Sequence, residues 1–377
     1  MSPLVIDVNQ TDDPRDVIHR AVQALVEGKL VAFPSETVYV MAASALNEAA
    51  VQRLAAIRQP EPNEPLCLAI RSTDDAIDFA PQLPSLGLRL ARRCWPGPVT
   101  LEVEDAQLES VIQRLPKGVQ ALVAPEKRIR MRVPAHDMLL GALRLVAGPL
   151  VMSGARRATD PDTITGKEVV QRIGSEIDLV LDEGKSRFGQ RSSLVRITGN
   201  QLQVLRSGVI SEANLKRLAS WMVIVVCTGN TCRSPMAEVL LRKRLAEKFG
   251  VSAEELEDRG VLVLSAGIAA APGGRAAAEA IAIMRERSLD LSQHESQPLS
   301  DRLVRYADLI LTMTRGHREA IVSHWPEAGA RTFTISHNRG DVADPIGGPA
   351  DLYRKCAEQI DAHLAEWVNE LDLDKPQ

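Results

Sequence analysis

The run Val223-Ile224-Val225-Val226-Cys227-Thr228-Gly229-Asn230-Thr231-Cys232-Arg233-Ser234-Pro235 constrains this chain more than any other stretch of it. The β-branched residues ahead of the cysteine predict a buried strand. Pro235 suits the first turn of a helix, where its missing N–H is not needed. A cysteine at the carboxyl end of a strand and just ahead of a helix sits among backbone N–H groups and the positive end of the helix dipole, a setting that favours negative charge on sulfur. The same N–H groups can ring a phosphate dianion. Five residues separate Cys227 from Arg233, which can curl back to present its planar fork to two phosphoryl oxygens. Ser234 can donate a hydrogen bond to the sulfur. The arrangement suits attack by a thiolate on phosphorus, with amides and Arg233 holding the charge and no metal required.

The remaining composition bounds the setting. At 377 residues the chain is long enough for two or three domains, each with its own core. A formal net charge of −4 with 25% charged residues gives no global reason to expect nucleic acid or an anionic membrane as partner, and leaves room for a local basic patch. The start Met1-Ser2-Pro3-Leu4 lacks a basic region followed by an apolar one, and no apolar run approaches membrane-spanning length. A cytoplasmic protein without a membrane partner is expected. Five scattered cysteines, an odd number, argue against a disulfide framework.

Two units are expected, covering 1–215 and 222–372. In the first, helices are predicted over 16–26 and 48–57, and strands over 30–33, 66–70, 99–103, 119–123, 130–133, 179–182, 193–197 and 202–205, with a proline- and acid-rich loop at 59–65. Strands outnumber helices without regular alternation, which indicates an α/β domain with a mixed sheet. The segment 211–220 reads as a short helix or a linker of helical character. From Met222 strands (223–226, 261–265, 309–312, 332–335) and helices (235–249, 276–287, 301–306, 317–324, 351–371) alternate, the pattern of a doubly wound parallel α/β sheet with the Cys227 loop at its carboxyl edge.

The second unit resembles the low-molecular-weight phosphotyrosine phosphatases through four ordered segments: Cys227 to Glu238, Ser265-Ala266-Gly267, Ala307 to Thr314, and Asp344-Pro345. The resemblance implies that Cys227 attacks phosphorus to give a phosphocysteine. Arg233 and the loop residues Thr228, Gly229, Asn230, Thr231, Cys232 and Ser234 would hold the phosphoryl group, and Asp344 would protonate the leaving group and then activate water. Asn230 would brace the loop, and Cys232 would trap Cys227 as a reversible disulfide under oxidation. Tyrosine-specific members place aromatic residues after the aspartate-proline pair, whereas Ile346-Gly347-Gly348 follow here. The combination of Thr231 with Gly340 to Gly348 and Asp351-Leu352-Tyr353 looks most like the bacterial protein-arginine phosphatases. The substrates implied are phosphorylated proteins carrying phosphoarginine, phosphotyrosine or both, with no cofactor.

Residues 10–210 resemble the YrdC-like enzymes, which condense ATP, bicarbonate and threonine into threonylcarbamoyl-adenylate for tRNA modification. The matching runs are 33–39, Pro65-Leu66, 95–100, 130–134, 178–182 and 205–208. By that resemblance Ser35, Thr37, Arg58, Arg132, Ser153, Ser192, Ser193 and Arg206 are candidates for binding nucleotide or threonine. The family pattern is eroded elsewhere. Val40 stands where a glycine is usual, Arg58 and Pro60 where a lysine-x-arginine pair grips anions, and Ser153-Gly154-Ala155 where a serine-alanine-asparagine turn contacts substrate. Two roles remain open for this unit: a module that binds a nucleotide or double-stranded RNA, or a synthase using ATP with magnesium. His294 and His317 are read as hydrogen-bonded structural residues, Lys243-Arg244 as a solvated helix face, Trp95 as turn packing, and Lys375-Pro376-Gln377 as a frayed tail.

Overall fold

A computed structural model describes residues 2–60, 64–104 and 110–371, in two compact units, the first ending at Leu218 and the second beginning at Ala219. Residues 61–63 of the expected acid-rich loop and the expected tail at 375–377 lie outside the described residues.

The first unit is built on ten strands: β1 (Leu4–Asp7), β2 (Val31–Phe33), β3 (Val40–Ser44), β4 (Cys67–Ala69), β5 (Val99–Glu104), β6 (Arg128–Arg132), β7 (Leu150–Gly154), β8 (Leu179–Asp182), β9 (Ser193–Thr198) and β10 (Gln201–Arg206). They form one mixed sheet in the order β1-β8-β2-β3-β7-β4-β6-β5-β9-β10. Helices Pro14–Val26 and Asp137–Leu145 turn Val17, Ala21, Leu25, Leu139 and Leu143 onto Val31, Phe33, Ala42 and Leu181, a buried apolar cluster at one end of the sheet. The first of these helices starts where the sequence dictates: the Asp13 carboxylate accepts from Arg15 N–H at 2.9 Å, and Pro14 occupies the first turn. At the other end Glu102 of β5 is fully buried opposite Arg130 of β6 and Arg196 of β9, whose Nε atoms each stand 2.7 Å from its carboxylate.

One predicted strand is a helix. Residues 119–123 fall inside the helix Lys117–Val123, where Val119 and Val123 are both buried and Ala121 is exposed. The spacing Val-x-x-x-Val suits one helical face as well as one strand face, and Pro116 ahead of it sets a helix start. Three strands were not anticipated, β1, β3 and β7. The segment Val40-Met41-Ala42-Ala43-Ser44 has no alternation to reveal it, because both of its faces are covered.

The second unit carries a four-stranded parallel sheet in the order β12-β11-β13-β14, from β11 (Trp221–Cys227), β12 (Val261–Gly267), β13 (Leu309–Thr312) and β14 (Thr332–Thr334). Strand β11 is buried on both faces. Val223, Val225 and Cys227 join a cluster with Met236, Leu240 and Leu241 of the helix Arg233–Phe249 and Ile360 and Leu364 of the helix Ala350–Glu370. Ile224 and Val226 point the other way, onto Val304 and Ile321. The chain leaves the carboxyl end of β11 for the helix Arg233–Phe249 and β12 on one side, while β13 and its onward connection to β14 lie on the other, so a crevice opens at this switch point. Arg244 is not simply solvated: its Nε stands 2.6 Å from Asp361 and ties these two helices together.

Candidate functional site

Residues 228–232 run from the end of β11 to the first turn of the helix Arg233–Phe249 and curl around the Cys227 sulfur. Cys227, Asn230, Arg233 and Ser234 are buried, whereas Thr228 is exposed at the mouth of the loop. Asn230 N–H donates to the sulfur at 3.3 Å, and the Ser234 hydroxyl lies 3.0 Å from it.

Asn230 is the keystone of this curl. Its φ of 55° is left-handed, a conformation asparagine tolerates better than most residues. Its side-chain amide donates to Ser234 Oγ at 3.0 Å and Ser265 Oγ at 2.9 Å, and its Oδ1 accepts from Gln297 N–H at 2.9 Å. Ser265 in turn donates to Glu238 Oε2 at 2.6 Å. His294 Nε2 reaches the Asn230 carbonyl at 2.8 Å. Gly267 is needed for close approach, since a Cβ there would lie 2.5 Å from the Thr228 carbonyl and 2.9 Å from Asn230 N.

Arg233 folds back over the loop mouth. Its Nη1 donates to the Val342 carbonyl at 3.1 Å, and its Nη2 pairs with Asp344 Oδ2 and reaches Thr228 Oγ1 at 3.4 Å. Asp344 arrives on the segment after β14, where Val342 N–H donates to the Met313 carbonyl at 2.9 Å. Its side chain is about one-third exposed, and Ile346 beyond it is one of the most exposed apolar residues of the unit. Thr228 Oγ1 also lies 2.9 Å from Nε2 of the buried His317, whose pKa falls to about 4 through burial and the nearby positive charge of Arg233. Cys232 Sγ faces Tyr353 OH at 3.5 Å and Thr231 Oγ1 at 3.7 Å. Burial raises the Tyr353 hydroxyl pKa and pushes the Cys356 thiol up to about 12. Among the described residues no group of three His, Cys, Asp or Glu side chains is placed to hold a metal ion.

Sequence reasoning therefore names every loop residue that the fold gathers here and reads His317 as hydrogen-bonded, but misses Thr228 as its partner and the bracing roles of Glu238 and Gln297. A histidine three residues past the helix-capping Thr314 carries no sign of a partner 89 positions away.

The first unit contains a cavity lined by Thr37, Arg58, Arg132, Ser153, Ser192 and Arg206 among the expected residues. Two expected residues lie elsewhere. Ser35 is buried and donates to the Val38 carbonyl at 2.6 Å, pinning the turn between β2 and β3. Ser193 donates to the Ile210 carbonyl at 2.7 Å and accepts from Gly208 and Ile210 N–H, fastening the chain after β10. The Ser193 hydroxyl is consumed by backbone, whereas the Ser35 hydroxyl also stands 2.9 Å from Oγ1 of Thr37, which lines the cavity. Arg132 is buried and its Nη2 stands 2.5 Å from Glu36 Oε1. Arg130, Arg156 and Arg191 also line the cavity and were not anticipated. Asp162 holds Arg156 Nε at 3.0 Å and Arg191 Nε at 2.6 Å, so one carboxylate serves two guanidinium groups. Arg206 donates to the Ser192 carbonyl at 3.1 Å and has no carboxylate within ion-pair distance among the described residues. Burial and the charges of Arg191 and Arg130 lower its pKa to about 10. The cavity thus carries net positive charge.

Two family models match the chain: Sua5–YciO–YrdC, described as telomere recombination, over residues 23–208, and low-molecular-weight phosphotyrosine protein phosphatase over residues 222–377. A protein-arginine-phosphatase of Bacillus subtilis is 38% identical over 157 residues, which are 41% of this chain and 98% of that protein. The probable low-molecular-weight protein-tyrosine-phosphatase EpsP of Ralstonia nicotianae is 35% identical over 147 residues, covering 39% of this chain and 92% of that protein. A threonylcarbamoyl-AMP synthase of Pyrococcus abyssi is 32% identical over 192 residues, 51% of this chain and only 54% of that protein. The crystal structure of P. abyssi Sua5 with L-threonine superposes with a TM-score of 0.51 at 21% identity, over 71% of this chain and 92% of that one, a likeness of fold. The chain belongs through its second unit to the low-molecular-weight phosphotyrosine protein phosphatase family, with a Sua5–YciO–YrdC domain ahead of it.

Proposed function

We propose that residues 222–372 form a cysteine-dependent protein phosphatase that acts through a phosphocysteine, with phosphoarginine as its preferred substrate and phosphotyrosine as the weaker one. The observation that carries this reading is the buried Cys227 sulfur facing Asn230 N–H and Ser234 Oγ, with Arg233 and Asp344 paired across the mouth of the loop. In the reaction Cys227 attacks phosphorus, and the loop amides and Arg233 hold the non-bridging oxygens. Asp344 gives its proton to the leaving nitrogen or oxygen and later takes one from water. No cofactor enters. The relatives named for arginine phosphatase activity and the exposed, non-aromatic Ile346 at the rim favour phosphoarginine. Steady-state kinetics without added metal on phosphoarginine and phosphotyrosine peptides should give the higher kcat/KM for phosphoarginine. The Cys227→Ser variant should lose turnover while still binding phosphate. A higher kcat/KM for phosphotyrosine overturns the substrate assignment, and turnover by the serine variant overturns the covalent route.

For residues 1–215 we propose a cytoplasmic nucleotide- or RNA-binding domain. The arginine-lined cavity supports anion binding, while Val40, Pro60 and Ala155 replace residues that the synthase resemblance would require. Pyrophosphate release from ATP with magnesium should show no joint dependence on threonine and bicarbonate. Such a dependence would make the unit a synthase, and the chain bifunctional.

A further inference from the structure

We infer that His317 is a positioning residue for the phosphatase reaction: it fixes Thr228 so that the Thr228 hydroxyl donates its proton as a hydrogen bond to a non-bridging oxygen of the phosphoryl group on Cys227. This rests on the phosphatase reading of the Cys227 loop.

The argument is one of donors and acceptors. A threonine hydroxyl has one proton and two lone pairs. Arg233 can only donate, and its Nη2 points at Thr228 Oγ1 from 3.4 Å, which claims one lone pair. The other contact of that oxygen is His317 Nε2, at 2.9 Å. Whether this nitrogen donates or accepts depends on the tautomer, and the far side of the ring decides it. His317 Nδ1 is sealed from solvent and has no hydrogen-bond partner among the described residues. A buried N–H without an acceptor is costlier than a buried lone pair without a donor, so the proton of the neutral ring resides on Nε2. His317 then donates to Thr228 Oγ1, and both lone pairs of the hydroxyl are occupied. Its own proton must go to an acceptor elsewhere.

The direction open to it is the loop mouth. Thr228 follows the nucleophile directly, is exposed where its neighbours Cys227 and Asn230 are buried, and shares Arg233 Nη2 with Asp344. A phosphoryl group bonded to Cys227 brings its oxygens into this space, and they are acceptors only. The ring itself is held in place by its helix: Thr314 caps Arg315–His324 by accepting from His317 N–H at 3.1 Å. A donor fixed before the reaction at an oxygen that gains charge lowers the barrier without reorganisation.

The test uses the full chain, p-nitrophenyl phosphate as substrate and vanadate as transition-state mimic. Thr228→Val should lower kcat/KM by roughly 10²-fold and weaken vanadate inhibition in proportion, the loss typical of removing one such donor, whereas Thr228→Ser keeps most activity. His317→Leu should fall in the same way and His317→Gln, whose side-chain amide can still donate to Thr228, should recover. The double variant Thr228→Val/His317→Leu should be no worse than Thr228→Val alone. Melting curves identify a variant that does not fold, and ¹⁵N shifts of the His317 ring in the unmutated protein give an independent reading. An Nδ1–H tautomer, additive losses in the double variant, or full activity in His317→Leu would overturn the inference. Absence of Cys227-dependent turnover in the unmutated chain would instead overturn the phosphatase reading on which it rests.

Discussion

His317 shows at the scale of one residue how a protein sets a protonation state by geometry. Burial and Arg233 depress its pKa to about 4, against the weaker opposing pull of Asp344 and Asp341. The unfolded chain, with an ordinary histidine near 6.5, therefore binds more protons than the folded one between about pH 4 and 6.5. Stability from this group is complete above that window and is lost as pH falls through it. Urea midpoints measured from pH 7 down to 4.5 should drop for the unmutated chain. The drop should be shallower in His317→Leu, because the titrating carboxylates are common to both.

At the scale of elements, the Cys227 loop depends on contact with the end of β12. Gly267 leaves room for the Thr228 carbonyl and Asn230 N–H, and alanine there would press its methyl 2.5 Å from one and 2.9 Å from the other. Backbone cannot yield as a side-chain tip would, so Gly267→Ala should displace the loop. Turnover should fall by at least tenfold and the melting temperature should fall with it, read by kinetics and a thermal melt. The same loop shows what sequence makes legible. Its chemistry is contiguous: strand, cysteine, arginine and helix start within thirteen residues, so the residues that meet in space are neighbours in sequence. The β11, β13 and long-helix positions were equally readable, because apolar runs bounded by polar loops alternate there. The first unit was harder. Ala-rich β3 lacks the alternation that betrays a half-buried strand, and the helix at 117–123 shares its Val-x-x-x-Val spacing with a strand. The Arg156–Asp162–Arg191 cluster joins residues up to 35 positions apart, numbers that no local pattern connects. Ser193 matched a family position, yet only the fold reveals that its hydroxyl is spent on the backbone of Ile210.

At the scale of the whole molecule, each described apolar cluster is built within one unit: Val8 to Leu181 in the first, and Trp221 to Leu371 and Met222 to Ala328 in the second. The first unit differs in also relying on charge inside its sheet. Removing Glu102 leaves Arg130 with Glu64 alone and Arg196, a third exposed, to turn to solvent, so Glu102→Ala should cost about 3 kcal/mol in denaturant unfolding followed on the first unit, the low end for a broken buried pair, while the larger apolar Glu102→Met should cost less than alanine. The placement of Glu102 has a further consequence. It sits directly opposite Arg130 on one neighbour and Arg196 on the other, in an antiparallel and a parallel ladder at once. A slip of β6 or β9 by one residue would turn its arginine to the opposite face and leave the buried carboxylate with the arginine of the other strand alone. Charge thereby helps to fix the alignment of β6, β5 and β9 against one-residue slips, since such a slip costs the shared carboxylate one of its arginines.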